Sequence, residues 1–593
     1  MASFLIGVGP ATGCQNGACQ YEVPNFVSTQ NFQFGGFVQD NYRVTPKLTV
    51  NLGVRYDFSL PRTERFNRQN SLDLTQRNPI NGGSITYTDP LTGQDVTRAL
   101  LGIEVFASPK NRANYAADWK DIQPRFGFAY QMAHSLVLRG GYGIFYSTPR
   151  SGAAGTGPVQ MYRGYDQFTN WVPVDPSDQF TPVGRFNNPF PNGGPILPPG
   201  NSLGALNDVG FGGGGAIKAI NNTPYEQSWS FGFEKELPWK IILDTSYVGK
   251  KGTHLYFSGA GEVNHLGPFV DKLTPGERGD LGNPDLANPF FGIITDPNST
   301  LSGDTIPRYQ VLRPFPQFDT LTGDSPPYAS SIYHALQFRA EKSYANGLQF
   351  LASYTWSKSI DDASSTDDSV TWLGGTTSLQ DPNRPDLERS VSTWDTPQIL
   401  QFSYVYDLPF GRGRKFAGGM NPVLNGILGG WQINGTYRYT SGRPLHITLS
   451  GGQEIPTYSS DQRRPNLNGT LKRNTGPDFV DNYFANAQDV LSQPEDFTIG
   501  DAPRTITSAR QPPTNNTTMS LFKQFSIREG MRLEFRAEAF NAFNHPQFCG
   551  PNNGTTSVSF DSSGKIDNTS NFAAVTDTCI NSREVQLALK FYW

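Results

Sequence analysis

Thirteen stretches of this chain alternate apolar and polar residues with a period of two, each over about nine to twelve residues. Successive side chains of an extended strand point to opposite faces, so the pattern describes two-faced strands. Between positions 48 and 58 one face collects Leu48, Val50, Leu52, Val54, Tyr56 and Phe58, and the other Thr49, Asn51, Gly53, Arg55 and Asp57. The final residues set Val585, Leu587, Leu589, Phe591 and Trp593 against Glu584, Gln586, Ala588, Lys590 and Tyr592. Strands of soluble proteins usually run about 5–6 residues, whereas one tilted about 45° across a bilayer needs about 9–11. The length of the alternation therefore favours an antiparallel transmembrane β-barrel over a sandwich.

The expected strands lie near 31–43, 48–58, 123–131, 135–147, 225–236, 240–250, 332–343, 347–357, 398–408, 430–440, 516–526, 531–543 and 583–593. Short connections at 44–47, 132–134, 237–239, 344–346 and 528–530 alternate with long Gly-, Pro- and Asn-rich stretches at 59–122, 148–224, 254–331, 358–397 and 441–515. Outer-membrane barrels show this asymmetry, with short periplasmic turns and long extracellular loops. A soluble domain would not carry five structureless loops of that size. Asn346-Gly347 readily takes the positive φ values of a type I′ hairpin turn. The connection at 409–429 is the exception, periplasmic by parity yet longer than the other turns. Residues 4–8 supply a candidate fourteenth strand, so 1–30 reads as a remnant strand and extracellular loop, and 31–593 as the barrel domain.

Composition narrows the alternatives. Aromatic residues make up 13% of the 593 positions although hydrophobic residues reach only 36%. A disordered chain lacks such aromatics, and 62 Gly with 45 Pro suit neither a coiled coil nor a helical repeat. No apolar run is long enough for a membrane-spanning helix. A formal net charge of −4 argues against a nucleic-acid partner. The opening residues lack the basic and apolar regions of a secretory signal.

Several segments taken in order resemble the Oar-like branch of the TonB-dependent outer-membrane transporters. They are Phe37-Val-Gln-Asp40 with Leu48-Thr-Val-Asn-Leu-Gly-Val-Arg-Tyr56, then Tyr247-Val-Gly-Lys-Lys-Gly-Thr-His-Leu255 and Tyr333-His-Ala-Leu-Gln-Phe338. Gly347-Leu-Gln-Phe-Leu-Ala-Ser-Tyr-Thr-Trp-Ser-Lys358, Leu408-Pro-Phe-Gly411 and Gly430-Trp431 continue the series. Ser441-Gly-Arg-Pro444 and Phe535-Arg-Ala-Glu-Ala-Phe-Asn-Ala-Phe-Asn544 complete it. The resemblance implies a barrel of 22 strands around a plug domain, with energy supplied by the inner-membrane TonB complex. This sequence shows no energy-coupling box and no plug-length segment, so the expectation is a chain carrying the C-terminal barrel part. A naturally short barrel is the alternative.

The resemblance also implies that Leu589, Phe591 and Trp593 form the strand read by the barrel-assembly machinery; an amphipathic strand ending on an interfacial aromatic gives the same pattern. Cys14, Cys19, Cys549 and Cys579 make an even count, which fits local disulfides in an oxidising compartment, each pair within one expected loop. A metal at Cys14 and Cys19 is the rival, but no further His or Cys lies nearby. The acidic run Asp361-Asp-Ala-Ser-Ser-Thr-Asp-Asp368 offers oxygen ligands for Ca²⁺ yet lacks EF-hand spacing, and reads as a solvated acidic loop. His134, His254, His265, His334, His446 and His545 show no zinc spacing. Gly411-Arg-Gly-Arg-Lys415 lacks a following helix and Walker spacing, so a basic turn accounts for it. Arg55, Asp57, Arg125, Arg139, Arg339, Glu341, Arg536 and Glu538 are expected to face the lumen, lining a solute route or simply hydrating it. No cofactor, metal or catalytic constellation is implied.

Three functions compete on these grounds. The first is a transporter of an unidentified solute in the outer membrane. The second is a structural or adhesive surface protein binding glycans or other cells through its long loops. The third, a secreted β-rich hydrolase, fits poorly with alternating loop lengths and an aromatic terminus.

Overall fold

The computed structural model describes residues 20–593 apart from 25–27, 114, 148–163, 171–180, 182, 184, 186, 189, 191–193, 218–221, 258–260, 324–325, 365–378, 459–462, 552–555 and 568–570. Its frame is one antiparallel sheet in which thirteen strands pair in chain order. They are β1 (Gln33–Thr45), β2 (Leu48–Ser59), β3 (Ile122–Ala133), β4 (Leu136–Tyr146), β5 (Tyr225–Leu237), β6 (Ile241–Leu255) and β7 (Ala329–Ala345). The sequence continues with β8 (Leu348–Asp361), β9 (Gln398–Asp407), β10 (Trp431–Thr440), β11 (Thr514–Arg528), β12 (Met531–Phe540) and β13 (Glu584–Tyr592). A two-residue strand, Ser390–Val391, adds to the end of β8. Every expected strand is present, with shifted ends. β1 runs on to Thr45 because that side chain folds into the turn, its Oγ1 accepting from the Lys47 and Leu48 N–H groups at 3.2 and 3.0 Å. Asn346 and Gly347 both take positive φ, at 54° and 77°. A type I′ turn demands that of both central residues.

Register converts the alternation of each strand into two continuous faces. Directly opposed residues of antiparallel strands share a face. Asn51 lies opposite Asn41 and Gly127, Arg139 opposite Ala129 and Gly232, and Arg339 opposite Asp244 and Ser353. Followed across the sheet, one face carries mainly polar and charged side chains and glycines, with a few apolar residues such as Phe145 and Leu351 among them. The other carries Leu52, Phe126, Phe231, Phe338, Tyr354, Phe402, Leu521 and Leu587, many of them solvent-exposed. An exposed apolar band thirteen strands wide is a surface for lipid, not water. No helix among the described residues is long and apolar enough to cross a membrane.

β1 and β13 are each paired on one side only among the described residues, so closure of the sheet into a barrel is not seen. All thirteen residues of β1 are exposed. Positions 4–8 lie outside the described residues, and of the expected 1–30 segment Gln20–Val23 pairs with Gln167–Asn170, away from the sheet.

The connections correct one expectation. The long stretches are not structureless; together with 541–583 they leave the same end of the sheet and pack on one another. Asn70–Arg77, Leu101–Phe106, Gly213–Ile217 and Leu321–Gly323, drawn from three connections, form a four-stranded sheet of their own. The buried apolar clusters all lie in these connections or in the strand ends feeding them. One joins 441–513 to 541–583 through Ile447, Tyr483, Phe484 and Val558, and another joins 60–121 to 256–328 through Ile85, Leu100, Phe290 and Ile306. The physical reason is that a single-layer sheet with one apolar outer face and one polar face has no interior. Apolar residues excluded from both faces must find each other in the loops.

Candidate functional site: the polar face and its cap

The polar face is assembled strand by strand. All eight residues expected to face the lumen fall on it by register: Arg55, Asp57, Arg125, Arg139, Arg339, Glu341, Arg536 and Glu538. They are mostly held in pairs. Arg55 bonds Asp57 two residues along its own strand at 2.7 Å, and Gln123 of β3 donates to the same Asp57 carboxylate at 2.6 Å. Arg139 reaches Glu234 across strands at 3.1 Å, Arg339 bonds Glu341 at 2.5 Å, and Arg536 pairs with Glu534. Arg125 instead lies over the Phe145 ring, 4.8 Å from its centroid. That ring has room because position 143 is glycine; a Cβ there would sit 2.9 Å from it.

Several hollows open on this face among the described residues. The first, about 370 Å³, is lined by Gln39, Asn51, Arg125, Ser228 and Ser230 among others. The second, about 450 Å³, is lined by Arg339, Glu341, Ser403, Asn434, Thr518 and Ser520 among others. Cations and anions alternate along the face and largely offset one another in pairs.

Above one end of the face sits the cap, held by buried charges that sequence reasoning missed. Arg464, almost wholly buried, pairs with Glu388 at 2.8 Å, and the Arg464 N–H donates to the Gln380 side chain at 2.9 Å. Arg504, equally buried, donates to the Glu388 carbonyl at 2.9 Å and pairs with Asp361 at the top of β8. Arg510 bonds Asp395 at 2.6 Å. Three arginines of 441–513 thereby tie that connection to 362–397 and to the sheet. Burial and the two guanidiniums Arg464 and Arg504 push His446 down to about 3, so it stays neutral. Further along the cap, burial and then the neighbouring Asp208 raise Glu104 to about 9. Glu104 accepts from Asn207 and from the Gly214 N–H at 2.7 and 3.1 Å. The one sequence signal was a pair of adjacent arginines, Arg463 and Arg464, inside a Gly- and Pro-rich stretch.

The remaining candidates separate. Cys549 and Cys579 are disulfide-bonded, with Cα atoms 5.2 Å apart, and clip the 541–583 connection; Cys14 and Cys19 lie outside the described residues. Asp361 is committed to Arg504, and Asp362 accepts from the Ser330 N–H and hydroxyl at 2.6 and 2.9 Å; residues 365–368 of the acidic run are outside the described set. Among the described residues no three His, Cys, Asp or Glu side chains converge as a metal site. His334 bonds the Tyr247 hydroxyl at 2.8 Å on the apolar face. Leu589 and Phe591 lie on that face too, and the Trp593 ring stacks 6.0 Å from Phe591 at the short-turn end of the sheet. The basic run 411–415 is followed after all by a helix, Pro422–Leu428, which the glycines flanking it concealed.

A family profile described as "Outer membrane beta barrel domain" matches residues 1–586. No curated protein sequence matches the chain. Among solved structures, the outer membrane transporter YddB of Escherichia coli aligns with 95% of this chain and 54% of its own length, at 9% identity and a TM-score of 0.37. The pyoverdine receptor FpvA of Pseudomonas aeruginosa, bound to pyoverdine, aligns with 95% of this chain and 42% of its own, at 9% identity and a TM-score of 0.36. The ferric yersiniabactin uptake receptor FyuA of Yersinia pestis aligns with 95% and 46%, at 7% identity and a TM-score of 0.34. The chain thus spans about half or less of the length of these structures.

Proposed function

The chain belongs to the outer membrane beta barrel domain family and resides in the outer membrane, and from that premise we propose that it is the barrel portion of a TonB-dependent transporter. The cargo is a scarce or bulky solute. One observation carries the reading: a polar face continuous over thirteen strands leads to an end where the described parts of the long connections pack on one another around buried apolar clusters. Connections interlocked in this way suit a gated receptor better than an open diffusion pore. The ordered motifs from Phe37 to Asn544 support the same family branch.

Residues 31–593 are the strand-bearing part, and the sheet is completed in the membrane by strands that pair with β1 and β13. Backbone groups left unpaired in lipid each cost several kcal/mol, so those two edges cannot stand alone there. The plug and the contact with the TonB complex belong to that completed protein. The barrel-assembly machinery engages Leu589, Phe591 and Trp593, whose apolar side chains are exposed on the final strand.

The test is an in-frame deletion in the source organism, complemented by the intact gene, with growth and uptake measured on limiting iron chelates, cobalamin, oligosaccharides and oligopeptides. The expected result is loss of uptake of one solute class, reproduced in the wild type by a protonophore. Unchanged uptake of every class together with lost attachment to glycan surfaces would put the adhesive reading in its place.

A further inference from the structure

At the end of the sheet opposite the cap, the connection between β9 and β10 is built unlike the other turns. Its helix, Pro422–Leu428, is capped by Asn421, whose side chain accepts from the Leu424 N–H at 2.8 Å, and has Pro at the first helical position. Both residues are favoured helix starters, Asn for its side-chain acceptor and Pro for its fixed φ. Seven residues are too few to hold a helix in water without docking. Docking comes from the apolar face of the sheet. Trp431 and Lys523, opposed in register on that face, reach the helix C-terminus: the indole N–H donates to the Ile427 carbonyl at 2.8 Å, and the Lys523 ammonium to the Ile427 and Gly429 carbonyls at 3.1 and 2.7 Å. A cation on these carbonyls also matches the negative end of the helix dipole.

This docking leaves the helix's own apolar side turned outward. Val423, Leu424, Ile427 and Leu428 are all exposed, Val423 at 72% and Ile427 at 60%. At offsets of one, four and five residues they share one side of the helix. The paired rings of Phe410 and Phe416 are exposed beside them, and Trp239 projects from the turn between β5 and β6 at the same end. The same connection carries Arg412, Arg414 and Lys415 and no acidic residue. Asn425 hooks this basic arm to the helix, its side-chain oxygen accepting from the Arg412 N–H at 2.7 Å. Arg414 is partly neutralised by Asp407 at 3.2 Å.

We propose that this connection lies in the periplasmic-leaflet interface and binds an anionic glycerophospholipid. The apolar side of Pro422–Leu428 rests among acyl chains, and Arg412 and Lys415 meet the headgroup phosphates. The assignment rests on the outer-membrane reading above and follows from continuity. The helix is anchored to the lipid-facing side of β10 and β11, so its exposed apolar residues extend the same band into the region where an interfacial helix with basic neighbours is stable. A water-facing turn would instead expose four aliphatic side chains and two aromatic rings at no gain.

Site-specific photocrosslinking in intact outer membranes separates the possibilities. With p-benzoylphenylalanine in place of Val423, mass spectrometry of the chain should find a glycerophospholipid adduct, as it should with the same group in place of Leu521 on the mid-sheet apolar face. An adduct to a periplasmic protein at position 423, or no adduct there while position 521 gives one, overturns the proposal. Failure at both positions overturns the membrane reading itself. For the charge, native mass spectrometry of the purified full chain titrated with phosphatidylglycerol should show the R412Q/K415Q variant binding about twenty-fold or more weakly, since each basic residue at an anionic surface contributes about five-fold. Equal affinity of the variant and the parent, or equal binding of phosphatidylcholine by the parent, refutes anionic recognition.

Discussion

Exchanging Leu521 for Arg and, separately, its neighbour Ser520 for Arg probes the two-faced sheet at its least ambiguous point. Both positions occupy the middle of β11, flanked by β10 and β12. Leu521 lies between Ile433 and Ala537 on the apolar face, and Ser520 between Asn434 and Glu538 on the polar one. An Arg facing lipid near the midplane destabilises a barrel by about 2–4 kcal/mol, so Leu521→Arg should divide the folded-to-unfolded ratio by about thirty to about a thousand. Ser520→Arg places the same guanidinium in a hollow of about 450 Å³ that Glu341 also lines, opposite Glu538. An exposed ion pair of that kind is worth about 0–1 kcal/mol, so stability should move by less than about 1 kcal/mol. Urea unfolding of the completed protein in phospholipid vesicles, followed by tryptophan fluorescence and by heat-modifiable migration on gels, reads both effects. Equal losses in the two variants, or a larger loss at Ser520, would refute the assignment of the faces.

Other consequences concern the cap. Glu388→Ala strands the buried Arg464 guanidinium. Loss of one partner of a buried pair typically costs about 3–5 kcal/mol, so hydrogen exchange in 380–389 and 463–468 should rise while β11 and β12 stay protected. Replacing Cys549 and Cys579 by Ser releases a bridge between positions separated by 30 in the sequence. A loop of that size is worth about 3–4 kcal/mol of chain entropy, so 541–583 should open to protease without loss of membrane insertion. Glu104 is pushed up to about 9, so the folded cap holds a proton there that the unfolded chain releases above the ordinary carboxyl range. Stability of the cap therefore falls as pH rises from about 4.5 toward 9, and Glu104→Gln should abolish that dependence in hydrogen exchange of 101–106 and 213–217. An unchanged pH profile in the variant would exclude Glu104 as its source.

The membrane sheet was legible residue by residue because its physics is local. A period of two, sustained for the span of a bilayer, fixes which side chains meet lipid, and Arg55, Asp57, Arg339 and Glu538 could be assigned to the polar face before any pairing was known. Turn chemistry was equally local, as Asn346-Gly347 illustrates. What the sequence could not reveal is the cap. Arg464 finds Glu388 across 76 residues and Arg504 finds Asp361 across 143, and no periodicity links such distant positions. Asp361 looked like part of a solvated acidic run because the arginine that claims it lies in another connection. The helix at Pro422–Leu428 was hidden for the same reason. Its seven residues, flanked by glycines, have little intrinsic helix stability and depend on Trp431 and Lys523 of adjacent strands to hold their carbonyls. Alternation along one strand is written in neighbouring residues, whereas burial of a charge or docking of a short helix exists only once separate strands have brought the partners together.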